Sequence, residues 1–323
     1  MSRRLLLWPL ALGLAACGDP EPPMPTGTKT VPTVVEQYQR RSLVSWRARA
    51  GELTAEERAA QVWALSVLEK DPLASLDTLL ERLGDPDPSV RLAAIVAVGR
   101  LAPPSPRVAE RLVTFFEAPQ EPLRRHARIA LGQLGPAALE PLRGLLDAES
   151  VRVRWGAVAA LGDLGEAGAA AVGDLTPLAR EDANPSIRRQ ARFSLARLGR
   201  AGIDACVALM REVETTDRAE LTAALALAGS DVVAPMAALL QDADEDIAAR
   251  SAGVLVDLGA AALPALDELL AALSRPGPVR FNAAEALLRI GAPAIERLKP
   301  LLESEDEGLA GIARYVIDTH AGK

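Results

Sequence analysis

The sequence is short of aromatic residues, cysteine, histidine and net positive charge, and each shortage closes off a class of protein. Phe, Trp and Tyr make up 3% of the 323 residues, while apolar residues make up 49%. The core must therefore be built from Ala, Leu and Val. Strands favour aromatic and β-branched residues, so a β-sandwich or large barrel fits poorly, whereas small side chains permit close helix packing. Two cysteines and two histidines are too few for a disulfide scaffold or a Cys/His zinc module. Lys and Arg number 36 against 43 Asp and Glu, a formal charge of -7. That balance disfavours general nucleic-acid binding, which needs a net basic footprint.

What is present begins with an address. Arg3 and Arg4 precede an apolar run, Leu5 to Ala16. A membrane-spanning helix needs about 20 such residues, so the shorter run fits a secretory signal core. It ends Leu14-Ala15-Ala16-Cys17, which resembles the lipobox of bacterial lipoproteins. The resemblance implies a diacylglyceryl group on the Cys17 thiol, cleavage after Ala16, and an acyl chain such as palmitate on the new amino group. The expected signal peptide is 1–16. Gly18 follows the cysteine and Asp19 comes one place later. In that family Asp directly after Cys retains the protein in the inner membrane, so the expectation here is export and lipid anchoring, at the outer membrane or facing the periplasm. Residues 17–32 are the lipidated Cys and a Pro-rich polar linker that buries too little apolar surface to order itself. An extended chain of that length reaches about 40 Å.

From residue 71 the chain repeats itself. Three stretches align on Arg91, Arg124 and Arg154. Three residues on stand Ala94, Ala127 and Ala157; six on, Ala97, Ala130 and Ala160; seven on, Val98, Leu131 and Leu161; ten on, Leu101, Leu134 and Leu164. The same frame fits at Arg188, Arg218 and Arg280, and at Ala248 and Ala310 where the Arg is lost. A degenerate copy falls at Arg58. The apolar offsets share one face of a helix. A further amphipathic stretch precedes each copy, and turns such as Gly84-DPDPS and Glu181-DANPS separate the two. Pro and Asp there stop one helix and cap the next. A Gly usually closes the unit: Gly135, Gly165, Gly199, Gly229, Gly259 and Gly291. The expectation is a chain of helix pairs, each too small to stand alone, stacked on its neighbours.

The D-x-x-V-R-x-x-A-x-x-A-L-x-x-L-G pattern carried by Asp87 to Ala102 and its copies resembles the HEAT repeat family, in the short form found in phycobilin lyase subunits. The resemblance implies an all-α, right-handed α-solenoid of stacked antiparallel helix pairs. Residues 71–323 are the HEAT-like repeats and 33–70 an N-terminal capping helix pair. Another HEAT-like family, the deoxyhypusine hydroxylases, binds two irons through His-Glu pairs. Neither His126 nor His320 precedes a Glu here, so no metal site or catalytic set is assigned and no cofactor is expected beyond the lipid on Cys17.

Six arginines at the start of the second helices, Arg91, Arg124, Arg154, Arg188, Arg218 and Arg280, form an expected structural ladder bonding turn carboxylates or carbonyls. Offsets 1, 4 and 5 point away from the core. In HEAT solenoids that side lines the concave face. It carries Arg125, Arg128, Trp155, Arg189, Arg192, Phe193 and Phe281, and Arg and aromatics are what interfaces enrich. A merely solvated surface is the competing account. Residues 151–200 carry eight Arg against five acids, and 231–323 eight basic residues against fifteen. The leading expectation is a non-catalytic scaffold or adaptor of the cell envelope that binds another protein through this face. An anionic polysaccharide or lipid headgroup is a second ligand class. A lyase-type enzyme or subunit, and a plain structural spacer, are the alternatives.

Overall fold

The computed structural model describes residues 53–68 and 72–322. The signal segment, Cys17, the Pro-rich linker and most of the 33–70 capping segment lie outside the described residues. Among those described, the chain is helical with no strand. Helix α1 (Ala55–Leu68) is followed by eight helix pairs. The first helices of the pairs are α2 (Pro72–Arg82), α4 (Pro106–Val113), α6 (Leu139–Arg143), α8 (Val172–Glu181), α10 (Gly199–Glu212), α12 (Val233–Leu239), α14 (Leu266–Ala272) and α16 (Ala292–Leu298). The second helices are α3 (Pro88–Leu101), α5 (Glu121–Gln133), α7 (Val151–Asp163), α9 (Pro185–Arg197), α11 (Thr215–Ala226), α13 (Glu245–Leu258), α15 (Pro278–Ile290) and α17 (Glu307–Ala321). Each second helix packs on the second helix of the next pair, from α1 through to α17. The result is an all-α solenoid.

Local chemistry sets the boundaries. Asp87 caps α3 by accepting from the Ser89 amide, and Pro88 supplies a first-turn residue with no amide to satisfy. Asn184 and Pro185 do the same for α9. A carboxylate two residues earlier tightens the turn: Asp85 accepts from the Asp87 amide at 3.0 Å, Asp182 from Asn184 at 2.8 Å and Asp242 from Asp244 at 3.0 Å. The six closing glycines all have φ between 56° and 85°, the left-handed region where a Cβ is strained. There the chain leaves one second helix and enters the next pair.

Packing follows the sequence frame. Ala94, Ala97 and Val98, and their counterparts in α5 and α7, are buried in one core cluster that runs from Val62 to Val316. Small residues let the second helices approach closely. A Cβ on Gly162 of α7 would stand 2.8 Å from the Ser194 Cα of α9, so only glycine fits this contact as built.

Candidate functional site

The anchor arginines serve the turns. Arg91, Arg124, Arg154 and Arg188 each donate Nη1 to the carbonyl six residues back, at 2.7–2.8 Å. The first three also reach the carbonyl five back. These carbonyls lie in the turn beyond the preceding first helix, where no helical amide follows to bond them. Arg154 Nε also stands 3.7 Å from Asp182 of the next unit's turn. Arg218 turns wholly to next-unit carboxylates, Asp244 at 2.8 Å and Asp246 at 3.1 Å. Arg280 is bonded to the Ser274 carbonyl at 3.3 Å and lies 3.8 Å from Asp306. The degenerate copy at Arg58 supplies a further rung, donating to both Asp85 oxygens and to the Leu53 carbonyl. Where Ala248 replaces the arginine, Arg275 of the next unit caps the turn instead, through the Leu240 and Asp242 carbonyls at 2.7 and 2.9 Å.

The open side of α5 and α7 forms a hollow of about 840 Å³. Arg124, Arg125 and Arg128 line it from α5, and Arg152 and Trp155 from α7. Glu117 and Glu121 add two carboxylates, and Phe116 is part of the lining. The Phe116 ring is 2.9 Å from where a Cβ on Gly156 would stand. Trp155 is 40% exposed. Arg128 is ion-paired with Asp163. A second, shallower hollow of about 440 Å³ crosses α11, α13 and α15 beside Ala223, Gly253 and Asn282.

The structure redistributes the residues expected on the open face. Arg125, Arg128 and Trp155 share the hollow. Arg189 is exposed one unit on, its guanidinium 5.7 Å from the centre of the Phe193 ring, and Phe193 is half-buried against the core. Phe281 is 66% exposed but sits four units away. Arg192 is corrected outright: it is 1% exposed. Its Nε donates to the Ala179 carbonyl at 2.9 Å, Nη1 to Glu220 at 2.8 Å and Nη2 to Asp217 at 2.7 Å. The cause lies in the next unit. Asp217 stands at the offset where α3, α5, α7 and α9 carry Val90, Leu123, Val153 and Ile187, and its carboxylate draws the guanidinium into the joint. The arginine holds the Asp217 carboxyl below the usual carboxylate range, outweighing the upward push of burial.

Arg152 and Phe116 were not legible as lining residues. Arg152 lies two places before the anchor, outside the offsets that point away from the core, and Phe116 lies in the 3-10 turn that follows α4. Cys206 is fully buried and burial pushes its thiol up to about 12, so it is no nucleophile in the folded chain. Among the described residues, no group of three or more His, Cys, Asp or Glu could hold a metal ion, and no helix is long and apolar enough to cross a membrane.

Residues 46–132 and 114–196 match the model of HEAT repeats. The fold is thus an all-α solenoid in which residues 46–196 match HEAT repeats. Among solved structures it resembles the complex of CpcE and CpcF of phycocyanin lyase from Nostoc sp. PCC7120, at 16% identity over 93% of this chain and 99% of that one, TM-score 0.37. It also resembles Kap121p bound to Pho4p, at 15% identity over 88% of this chain and 39% of that one, TM-score 0.48. Human deoxyhypusine hydroxylase aligns at 18% identity over 90% of this chain and 97% of that one, TM-score 0.30. No curated protein matches the chain in sequence.

Proposed function

We propose that this chain is an exported, lipid-anchored scaffold of the bacterial cell envelope that binds a partner protein through the open face of its second helices. One observation carries the binding reading. A half-exposed Trp155 stands in a hollow with an arginine cluster, at positions the repeat does not need: the same offset holds Ala219 and Ala249 in later units. Buried aromatics and arginines are the residues that anchor interfaces. The lipobox pattern ending at Cys17 supports the anchoring. In this reading the role is recognition without chemistry, and the linker after Cys17 gives the solenoid reach from the bilayer.

The test is crosslinking and pull-down from intact envelopes. Wild type should capture a defined partner, and Trp155→Ala with Arg152→Glu and Arg189→Glu should lose it without early melting. Arg192 is left intact because it holds the fold. Equal capture by the variant would remove the face from the reading. Separately, Cys17→Ser should move the folded body from the detergent phase to the aqueous phase. Unchanged partitioning would remove the lipid anchor.

A further inference from the structure

Resting on that reading, the chemistry of the hollow narrows the partner. We infer that the α5–α7 hollow takes an acidic peptide segment carrying one aromatic or aliphatic side chain. Arg124, Arg125, Arg128 and Arg152 line it against Glu117 and Glu121, with Arg128 ion-paired to Asp163. Arg124 is engaged with the carbonyls of Ala118 and Pro119, which leave its charge uncancelled. Arg152 is exposed at the edge, and Arg189 continues the positive field into the next unit. Such a field favours an anionic ligand and raises its encounter rate.

The apolar part of the ligand is set by Trp155, which is 40% exposed. Phe116 is buried against the bare backbone of Gly156, so an inserted ring or aliphatic group would meet the exposed face of Trp155. Glu117 and Glu121 decide between ligand classes. They would repel a uniformly anionic surface such as a bilayer, but they can accept from the backbone N–H groups of a peptide. A volume of about 840 Å³ falls within the range of roughly 300–1,000 Å³ that bounds a small ligand or a short piece of chain.

The test uses the full lipidated chain in detergent and a fluorescein-labelled peptide in which glutamates flank a single tryptophan. Companion peptides carry lysine for glutamate, or alanine for tryptophan. Vesicles of phosphatidylglycerol are a separate probe. The glutamate–tryptophan peptide should bind, and should weaken as salt rises, because exposed charges are screened within about 8 Å at physiological ionic strength. Each companion peptide should bind at least about tenfold more weakly, as expected when an interface anchor is lost. Trp155→Ala and Arg152→Glu should each weaken the parent peptide by a similar factor at unchanged melting temperature. Arg111→Glu, an exposed change on α4, should not. Equal binding of the lysine peptide, or indifference to Arg152→Glu, would overturn the proposal. So would vesicle binding that Arg152→Glu abolishes while the peptide stays unbound. A photo-crosslinker at position 151, exposed on the wall of the hollow with Trp155 left intact, separates the two readings. Partner capture in envelopes without peptide binding ends the acidic-segment proposal and leaves the scaffold standing; capture of nothing ends both.

Discussion

At the scale of single residues, the same side chain does opposite work according to what the neighbouring unit places against it. Arg189 and Arg192 sit three apart on α9, yet one is exposed and the other closed in by Asp217, Glu220 and the Ala179 carbonyl. Arg192→Ala should therefore lower unfolding stability by about 2–3 kcal/mol, the scale for charge-assisted bonds whose partners keep some contact with water. Lysine should recover only part, because a point charge cannot serve three acceptors lying around a planar fork. Urea unfolding of the two variants measures both, and a neutral Arg192→Ala would refute the closed triad. The turn carboxylates give stability a pH dependence. Burial pushes Asp85 up, but bonds from Arg58 and the Asp87 amide and the charges of Arg58 and Arg82 bring it below its ordinary value. Asp217, with Arg192 as the main cause, is lowered too. A lowered carboxyl binds fewer protons in the folded state, so its contribution is full above the unfolded value, about pH 3.9. It is lost as pH falls through the folded value. The urea midpoint should fall as the solution is acidified below about pH 4, and Asp217→Asn should flatten part of that fall. Curves of equal steepness for wild type and for Asp217→Asn would count against it.

At the scale of elements, most of the architecture was legible because it is repeated. Apolar offsets on Arg91, Arg124 and Arg154 gave the buried face of the second helices, and the closing glycines fell at the left-handed turns, since both are backbone demands that recur in every unit. What was not legible depends on contacts between units. Asp217 at an apolar offset signalled a break in the pattern, but its consequence for Arg192 needs the spacing between α9 and α11. Arg275 standing in for the arginine missing at Ala248 is likewise a contact across 35 residues of chain. Helix approach obeys the same division. Gly162→Ala should destabilise by roughly 1–3 kcal/mol, as overpacking does, even though alanine is the better helix former. Gly253→Ala on α13 meets nothing nearer than Asn282 Nδ2 at 3.9 Å and should stabilise by about 0.5–1 kcal/mol. Thermal melting of the pair should show shifts of opposite sign; shifts of the same sign would mean that α7 and α9 do not meet at Gly162.

For the whole molecule, the question is how far a disturbance travels. Each second helix touches its neighbours in the stack, so stability should be close to a sum of unit and interface terms. The core cluster is continuous from Val62 to Val316, but its character changes at the joint between α9 and α11, where the Arg192 triad replaces an apolar contact at one core offset. An ion triad whose carboxylates reach water can be hydrated as it opens, while an apolar contact cannot. The joint is therefore the place where the solenoid should uncouple. Leu131, fully buried in α5, tests this. Leu131→Ala should cost about 2–5 kcal/mol, and native-state hydrogen exchange should show where that loss is felt. Protection should drop most in α3, α5 and α7, less in α9, and little in α13, α15 and α17. In Arg192→Ala, protection should instead drop on both sides of the joint, in α9 and α11, with α5 unchanged. A uniform loss from α3 to α17 in the Leu131 variant would show one cooperative unit. The triad would then be a seam in the packing that carries no boundary in the folding.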